Sequence, residues 1–80
     1  MKKDKIKALL SLKGLNMSDL ANFMNKSKQQ ISNKNKSDVW SIDEGIEISL
    51  LTNTRLAFID NETNKELISF DENDIKKDDL

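Results

Sequence analysis

The chain contains no cysteine, no histidine and no proline, and its two glycines, Gly14 and Gly45, lie far apart in 80 residues. Without cysteine there is no disulfide framework and no thiolate nucleophile. Without histidine the usual general base and the commonest metal ligand are missing. Two isolated glycines do not form a phosphate-binding loop. We therefore predict a protein that is not an enzyme, with no catalytic residues, no metal or cofactor and no small-molecule ligand.

Long apolar runs are missing as well, since no stretch approaches the ~18 consecutive apolar residues that a membrane-spanning helix requires. The N-terminal segment MKKDKIKALLSLKG is basic, but Lys7, Ser11 and Lys13 interrupt its apolar residues, which is not typical of a signal peptide. We expect a cytoplasmic protein without a membrane partner. A chain of this length forms one domain with a small core, which a second copy would enlarge.

The net charge of −1 hides an asymmetry between the two halves of the chain. Residues 1–37 hold nine lysines against two acids, a net charge of +7, whereas residues 38–80 hold four basic residues against twelve acids, a net charge of −8. This asymmetry is typical of a half that faces nucleic acid or a membrane surface, although solvated lysine-rich helices show it too. The excess of lysine over arginine indicates AT-rich coding, as in a low-GC bacterium or its phage.

Apolar residues at helical spacing predict four helices, each preceded by a residue that favours a helix start and followed by an end signal. The start residues are Asp4, Asn16, Ser27 and Ser41. The predicted ends are Lys13 before Gly14, Asn25, about Lys34 and Asn53. In the fourth helix Ile42, Ile46 and Leu50 share one face.

After residue 54 the period of the apolar residues changes. The runs LAFI and LISF flank the polar cluster DNETNKE, which predicts a β-hairpin over residues 55–70. Both faces of each strand carry apolar side chains, such as Phe58 and Ile59, so the second face needs cover from the helices or from another chain. The acidic tail at 71–80 has little to bury and is predicted to be disordered. The prediction is a mainly α protein with a helical domain at 1–54 and a C-terminal β-hairpin.

The third helix has an unusual composition. Its single large apolar residue is Ile31, and no acid lies between Ser27 and Ser37. A helix with one apolar anchor does not owe its place to burial alone, so its polar side chains are available to a partner. A solvated surface helix is the alternative interpretation, but such helices usually mix charges of both signs.

The segment GLNMSDLANFMNKSKQQISNK resembles the helix-turn-helix of the Cro/repressor family, which is lambda repressor-like. The similarity covers about residues 5–52 and is most specific at Leu20-Ala21, Met24, Ser27 and Ile31-Ser32-Asn33. Asn25 and Lys26 depart from the family's turn, which usually carries glycine and then an apolar residue. Met17 stands where the family often has a glutamine that touches a phosphate. The resemblance implies a four-helix lambda-repressor-like domain that binds double-stranded DNA as a homodimer and regulates transcription, as a repressor of phage or mobile-element type.

The resemblance also implies which residues contact DNA. Lys28, Gln29, Ser32 and Asn33 match the family positions that face base edges, and the direction of Gln30 depends on the tilt of the helix. Amide, hydroxyl and ammonium groups are suited to reading bases in the major groove. The residues placed for phosphate contacts, which set register without reading sequence, are Asn16, Lys34, Asn35 and Lys36.

Two other classes of function stay open. The same fold serves protein-binding modules such as an antirepressor, an antitoxin or a phage-encoded inhibitor, and the acidic half of the chain could then present a DNA-like surface to its partner. A minor structural or membrane-surface protein is the third class, based on the basic first helix. Binding to bulk DNA at low salt separates the first class from these alternatives.

Overall fold

The structure, a computed structural model, describes residues 1–76. Its elements are α1 (Lys2–Leu12), α2 (Met17–Phe23), α3 (Lys28–Ser37), α4 (Ile42–Leu51), β1 (Leu56–Ile59), β2 (Glu66–Phe70) and the short 3-10 helix η1 (Glu72–Asp74). The prediction of a mainly helical chain with a C-terminal antiparallel hairpin is confirmed. None of the helices within residues 1–76 combines the length and apolar character needed to cross a membrane.

Contacts between residues divide the chain into two compact units, Met1–Ser41 and Ile42–Leu80. The first unit contains α1, α2 and α3, and the second contains α4 and the hairpin. The division therefore lies before α4, whereas the predicted helical domain ran to residue 54.

The start of α1 differs from the prediction. The helix begins at Lys2, so Asp4 lies in its first turn and does not cap it. Instead, the backbone N–H of Lys3 donates a hydrogen bond of 2.7 Å to Oδ1 of Asp38, and Nζ of Lys2 lies 3.7 Å from Oδ2 of the same carboxylate. A carboxylate beside a helix N-terminus satisfies free N–H groups and the helix dipole. Asp38 thus joins the end of α3 to the start of α1.

The three helices of the first unit each end at a residue with a left-handed backbone. These residues are Gly14, Asn25 and Asp38, with φ of 72°, 56° and 55°. At the end of α1 the N–H of Leu15 donates to the carbonyl of Leu10 at 2.8 Å, and the N–H of Gly14 donates to the carbonyl of Ser11 at 3.0 Å. This pair of hydrogen bonds is a Schellman motif. Asparagine and aspartate adopt this backbone more readily than other non-glycine residues. They replace glycine in a chain that has little of it.

The buried side of α4 is not the predicted one. Ile46 is buried as expected, but Ile42 and Leu50 are exposed. The other buried residues of this segment are Ile48, Ser49 and Thr52. Small and hydroxylated residues therefore form much of the buried side, with Ser49 and Thr52 donating their hydroxyl protons to the helix's own carbonyls. Apolar periodicity alone does not identify such a face.

The glycine inside α4 lies at a close approach between this helix and β1. A Cβ atom added at Gly45 would lie 3.3 Å from Cδ2 of Leu56, which is tighter than ordinary van der Waals contact. Gly45 therefore lets the first residue of β1 pack against the helix backbone, at a cost in helix propensity of about 1 kcal/mol relative to alanine.

The two strands pair in an antiparallel register that sets Leu56 opposite Phe70 and Phe58 opposite Ile68. Between Phe58 and Ile59 the pairing passes from Ile68 to Glu66, so Leu67 is the extra residue of a bulge in β2. The connecting turn is closed by a hydrogen bond of 2.9 Å from the N–H of Asp60 to the carbonyl of Lys65. Asn64 takes the left-handed conformation that the turn requires.

Residues 71–76 are ordered, in contrast to the predicted disordered tail. Asp71 and Asp74 exchange hydrogen bonds with backbone N–H groups as a capping box around η1. The backbone N–H of Lys76 donates to Oδ2 of Asp43 on α4 at 3.1 Å. Polar contacts with backbone groups fix this segment, and a pattern of apolar residues does not reveal them. The rest of the predicted tail, residues 77–80, lies outside the described residues.

Candidate nucleic-acid interface

The candidate interface is built on the pair α2 and α3, which pack against each other and are joined by residues 24–27. Leu20 and Ala21 of α2 and Ile31 of α3 are all buried, and Ile31 is 0% exposed. Burial of one such side chain stabilises the fold by about 1.5–3 kcal/mol. The prediction that Ile31 is the buried apolar anchor of α3 is confirmed.

Capping boxes fix where both helices begin, as the Asn16 and Ser27 signals predicted. The side chain of Asn16 accepts from the N–H of Asp19 at 3.0 Å, and Asp19 accepts from Asn16 at 2.9 Å. Likewise Ser27 accepts from the N–H of Gln30 at 3.1 Å, and Oε1 of Gln30 accepts from Ser27 at 2.8 Å. The oxygens of Asn16 and Gln30 thus each use one lone pair within the fold, whereas neither capping bond uses their NH₂ groups.

The two sides of α3 differ in what they expose. Ile31 and Asn35, four residues apart, point inward and are buried. Since successive residues turn by about 100° around a helix, positions 29, 33 and 36 lie on the opposite side. Gln29, Asn33 and Lys36 are all exposed there, and we call these three residues the outer stripe. Gln29 and Asn33 are predicted to face base edges, and Lys36 is predicted to contact phosphate.

The other predicted contact residues flank the outer stripe. Lys28 and Gln30 are exposed, whereas Ser32 and Lys34 are half-buried. Lys28 and Ser32 lie on one flank, and Gln30 lies on the other, where its side chain turns back toward Ser27. The structure therefore brings most of the predicted residues onto one helix surface, with Asn16 exposed at the start of α2.

Asn35 does not belong to this surface. The residue is only 8% exposed, and its Oδ1 has no hydrogen-bond partner within residues 1–76. The predicted phosphate contact of Asn35 is wrong because α3 continues to Ser37 instead of ending at about Lys34. Helical geometry then places residue 35 one turn after Ile31 on the inner side.

Within the outer stripe the two amides are joined. Nε2 of Gln29 donates a hydrogen bond of 2.9 Å to Oδ1 of Asn33, and both side chains are exposed to solvent. This bond orients both amides on the surface. Their remaining donors and acceptors are exposed and can bind a ligand.

The charge of the first unit favours an anionic ligand. Residues 1–41 carry nine lysines against Asp4, Asp19 and Asp38, a net charge of +6. None of these acids lies within α3, and the Asp38 carboxylate faces Lys2 and the N-terminus of α1. A surface of this composition attracts a polyanion through the summed field of its lysines.

Asp38, which links the end of α3 to the start of α1, was not among the predicted residues. The signal that could have found it is local, since aspartate after a polar helix is one of the few residues that accept the left-handed conformation. Its second role, as the cap of a helix that starts 36 residues earlier in the chain, has no local signal.

Comparison of the chain with protein-family models, curated proteins and solved structures finds no significant match. The function is accordingly inferred from the chemistry of the described residues.

Proposed function

We propose that this protein binds double-stranded DNA in a sequence-specific manner, as a Cro/repressor-type helix-turn-helix protein that regulates transcription in the cytoplasm. In this proposal α2 and α3 form the motif, and α3 enters the major groove, which is about 12 Å wide and accepts one helix. The observation that carries the proposal is the outer stripe. A helix held by the single buried apolar residue Ile31 presents amides and lysines, and no acid, to the outside.

The roles divide by chemistry. Gln29, Asn33, Lys28 and Ser32 are assigned to base edges, because amides, ammonium groups and hydroxyls match the donors and acceptors of the major groove. Lys36 at the end of the stripe is assigned to phosphate, together with Lys34, Asn16 and the NH₂ group of Gln30. Repression needs nothing beyond occupancy of DNA that the transcription machinery uses, so it is the simplest outcome of such binding.

A second copy of the chain is the proposed occupant of the hairpin surface. Four large apolar residues of the hairpin are between 58% and 64% exposed: Phe58, Ile59, Leu67 and Ile68. A two-stranded sheet is marginal by itself, and a second hairpin would supply further strands or a second layer. The bulge at Leu67 distorts the edge of β2, which leaves β1 as the regular edge for pairing. Two copies would also present α3 to two half-sites, about 34 Å apart.

The experiment is titration of a labelled random-sequence duplex with the wild-type protein at several salt concentrations. If four to six phosphates are neutralised per dimer, the logarithm of affinity should fall with that of salt at a slope of about −4 to −5. Lys36→Ala should weaken binding to all sequences and reduce the slope by about 1. Lys65→Ala, which removes the same charge from the turn of the hairpin, is the matched control and should change little. Absence of binding at low salt would contradict the proposal.

The alternative function is a protein-binding module of the same fold, such as an antirepressor, an antitoxin or a phage-encoded inhibitor. The observation that favours it is the hairpin surface, whose exposed apolar residues lie among the acids Asp60, Glu62 and Glu66. Such a surface fits a partner with apolar and basic side chains. A chain that binds no DNA at low salt, yet stays folded, would support this alternative.

A further inference from the structure

The hydrogen bond between Gln29 and Asn33 limits what the outer stripe can recognise. A primary amide has one oxygen that accepts and one nitrogen with two N–H donors. In the observed pair, one Gln29 donor and one lone pair of Asn33 are used at a distance of 2.9 Å. Gln29 keeps its oxygen as an acceptor, and Asn33 keeps both of its donors. Joined amides always offer an acceptor at one end and donors at the other, whichever of the two donates.

The bond also fixes the two amides relative to each other. An isolated glutamine or asparagine exchanges its oxygen and nitrogen by rotating about its last torsion. In the pair, rotating one amide alone would set oxygen against oxygen or nitrogen against nitrogen. The pair therefore presents an acceptor and donors together, and it does not change to donors alone without losing its bond.

Among the purines, only adenine pairs with both the free oxygen of Gln29 and its remaining N–H when the bond holds Gln29 in this way. In the major groove adenine offers the N6 amino donor beside the N7 acceptor, whereas guanine offers two acceptors, O6 and N7. The oxygen of Gln29 can accept from N6 while an N–H of the pair donates to N7. With guanine the same oxygen would face O6, and two acceptors would meet without a proton.

On the premise of the proposed DNA-binding function, we propose that Gln29 and Asn33 act as one recognition unit that selects an A·T over a G·C base pair. A single amide can also pair with adenine through its oxygen and an N–H, but once its partner is removed it is free to turn its NH₂ group toward the acceptors of guanine. The selectivity belongs to the pair, and loss of either residue should abolish most of it.

The test is a cycle of four proteins: wild type, Gln29→Ala, Asn33→Ala and the double variant. Each is titrated with a duplex chosen by the wild type from a random pool. Each is also titrated with copies in which one A·T pair at a time becomes G·C. At the contacted position the wild type should prefer A·T by about tenfold or more. Each single variant should lose most of that preference, and the double variant should lose little further. Both residues are exposed, so circular dichroism should show unchanged folding.

A modified base gives a second readout. Replacing the contacted adenine by 7-deazaadenine removes the N7 acceptor while the N6 donor remains. The wild type should bind this duplex more weakly, and the single variants should bind it almost as well as the unmodified one. Additive losses in the cycle, a preference for G·C, or indifference to 7-deazaadenine would overturn the recognition unit and leave DNA binding intact. Failure of the wild type to bind any duplex would instead overturn the proposed function, and this inference with it.

Discussion

The third helix and the hairpin present opposite kinds of surface. On the outer side of α3 the exposed residues are amides and lysines, whereas the hairpin exposes four large apolar side chains. Neither surface has the composition expected of a surface that contacts only water. A merely solvated helix usually mixes charges of both signs, and exposed apolar area costs about 25 cal/mol per Å² relative to burial. This difference is the reason why we propose two kinds of contact, one with a polyanion and one with an apolar partner.

The two surfaces also differ in charge. No acid lies within α3, whereas Asp60, Glu62 and Glu66 accompany the hairpin. Arg55 and Lys65 offset two of these acids, and Nε of Arg55 lies 3.4 Å from Oε1 of Glu66, so the net charge of residues 55–70 is −1. A phosphate backbone would be attracted to the first surface and not to the second. In our account DNA therefore contacts α3 and a second copy of the chain contacts the hairpin.

The largest effect should come from moving a charge between the two sides of α3. Ile31→Asp places a carboxylate where the side chain is 0% exposed, and it should unfold the first unit, at a cost of about 4 kcal/mol or more. Asn33→Asp is the matched control, because it adds the same charge on the exposed side. It should leave thermal unfolding, followed by circular dichroism, nearly unchanged while DNA binding is lost. Similar melting temperatures for the two variants would contradict the placement of Ile31 on the buried side of α3 and of Asn33 on the exposed side.

A second variant tests the hairpin. Phe58 and Ile59 are 63% and 58% exposed, so lysine at either position should leave the chain folded. Phe58→Lys also removes an edge-to-face contact with Phe70, whose ring centroid lies 6.0 Å away, at a cost of about 1 kcal/mol. In sedimentation equilibrium both variants should be monomers, and Asn61→Lys in the exposed turn should behave as the wild type. A wild type that is monomeric at tens of micromolar, where weak obligate dimers still associate, would refute the dimer.

A smaller effect is expected at Asp38, which orients α3 by capping α1. Asp38→Ala removes an acceptor for the N–H of Lys3 and puts a less suitable residue in the left-handed conformation, which should cost about 1–2 kcal/mol. Asp38→Asn keeps a neutral acceptor and the backbone preference, so it should cost roughly half as much. Urea denaturation measures both values. Equal stability of all three proteins would show that the cap does not hold the unit together.

The contacts that could be predicted from the sequence are the local ones. Asn16 and Ser27 begin their helices as expected, because a capping box joins residues three positions apart. The burial of Ile31 could be predicted because it is the single apolar residue of α3. In contrast, the cap from Asp38 to Lys3 spans 35 positions, and the close approach of Gly45 and Leu56 depends on packing. Neither contact follows from apolar periodicity.

In the candidate site, too, some features could be predicted from the sequence and others could not. The outer stripe follows from the position of Ile31 and the helical repeat. The error at Asn35 came from the length of α3, since element ends are the least certain feature of a sequence pattern. The bond between Gln29 and Asn33 was not predicted, because spacing allows such a pair without requiring it.

DNA recognition by α3 is tested most directly by selecting bound duplexes from a random pool with the wild-type protein at low salt and sequencing them. We expect enrichment of a two-fold symmetric motif with half-sites about one helical turn apart. The Ile31→Asp variant, processed in parallel, should enrich nothing. A sequence distribution identical for the wild type, the variant and the starting pool would contradict DNA recognition by α3.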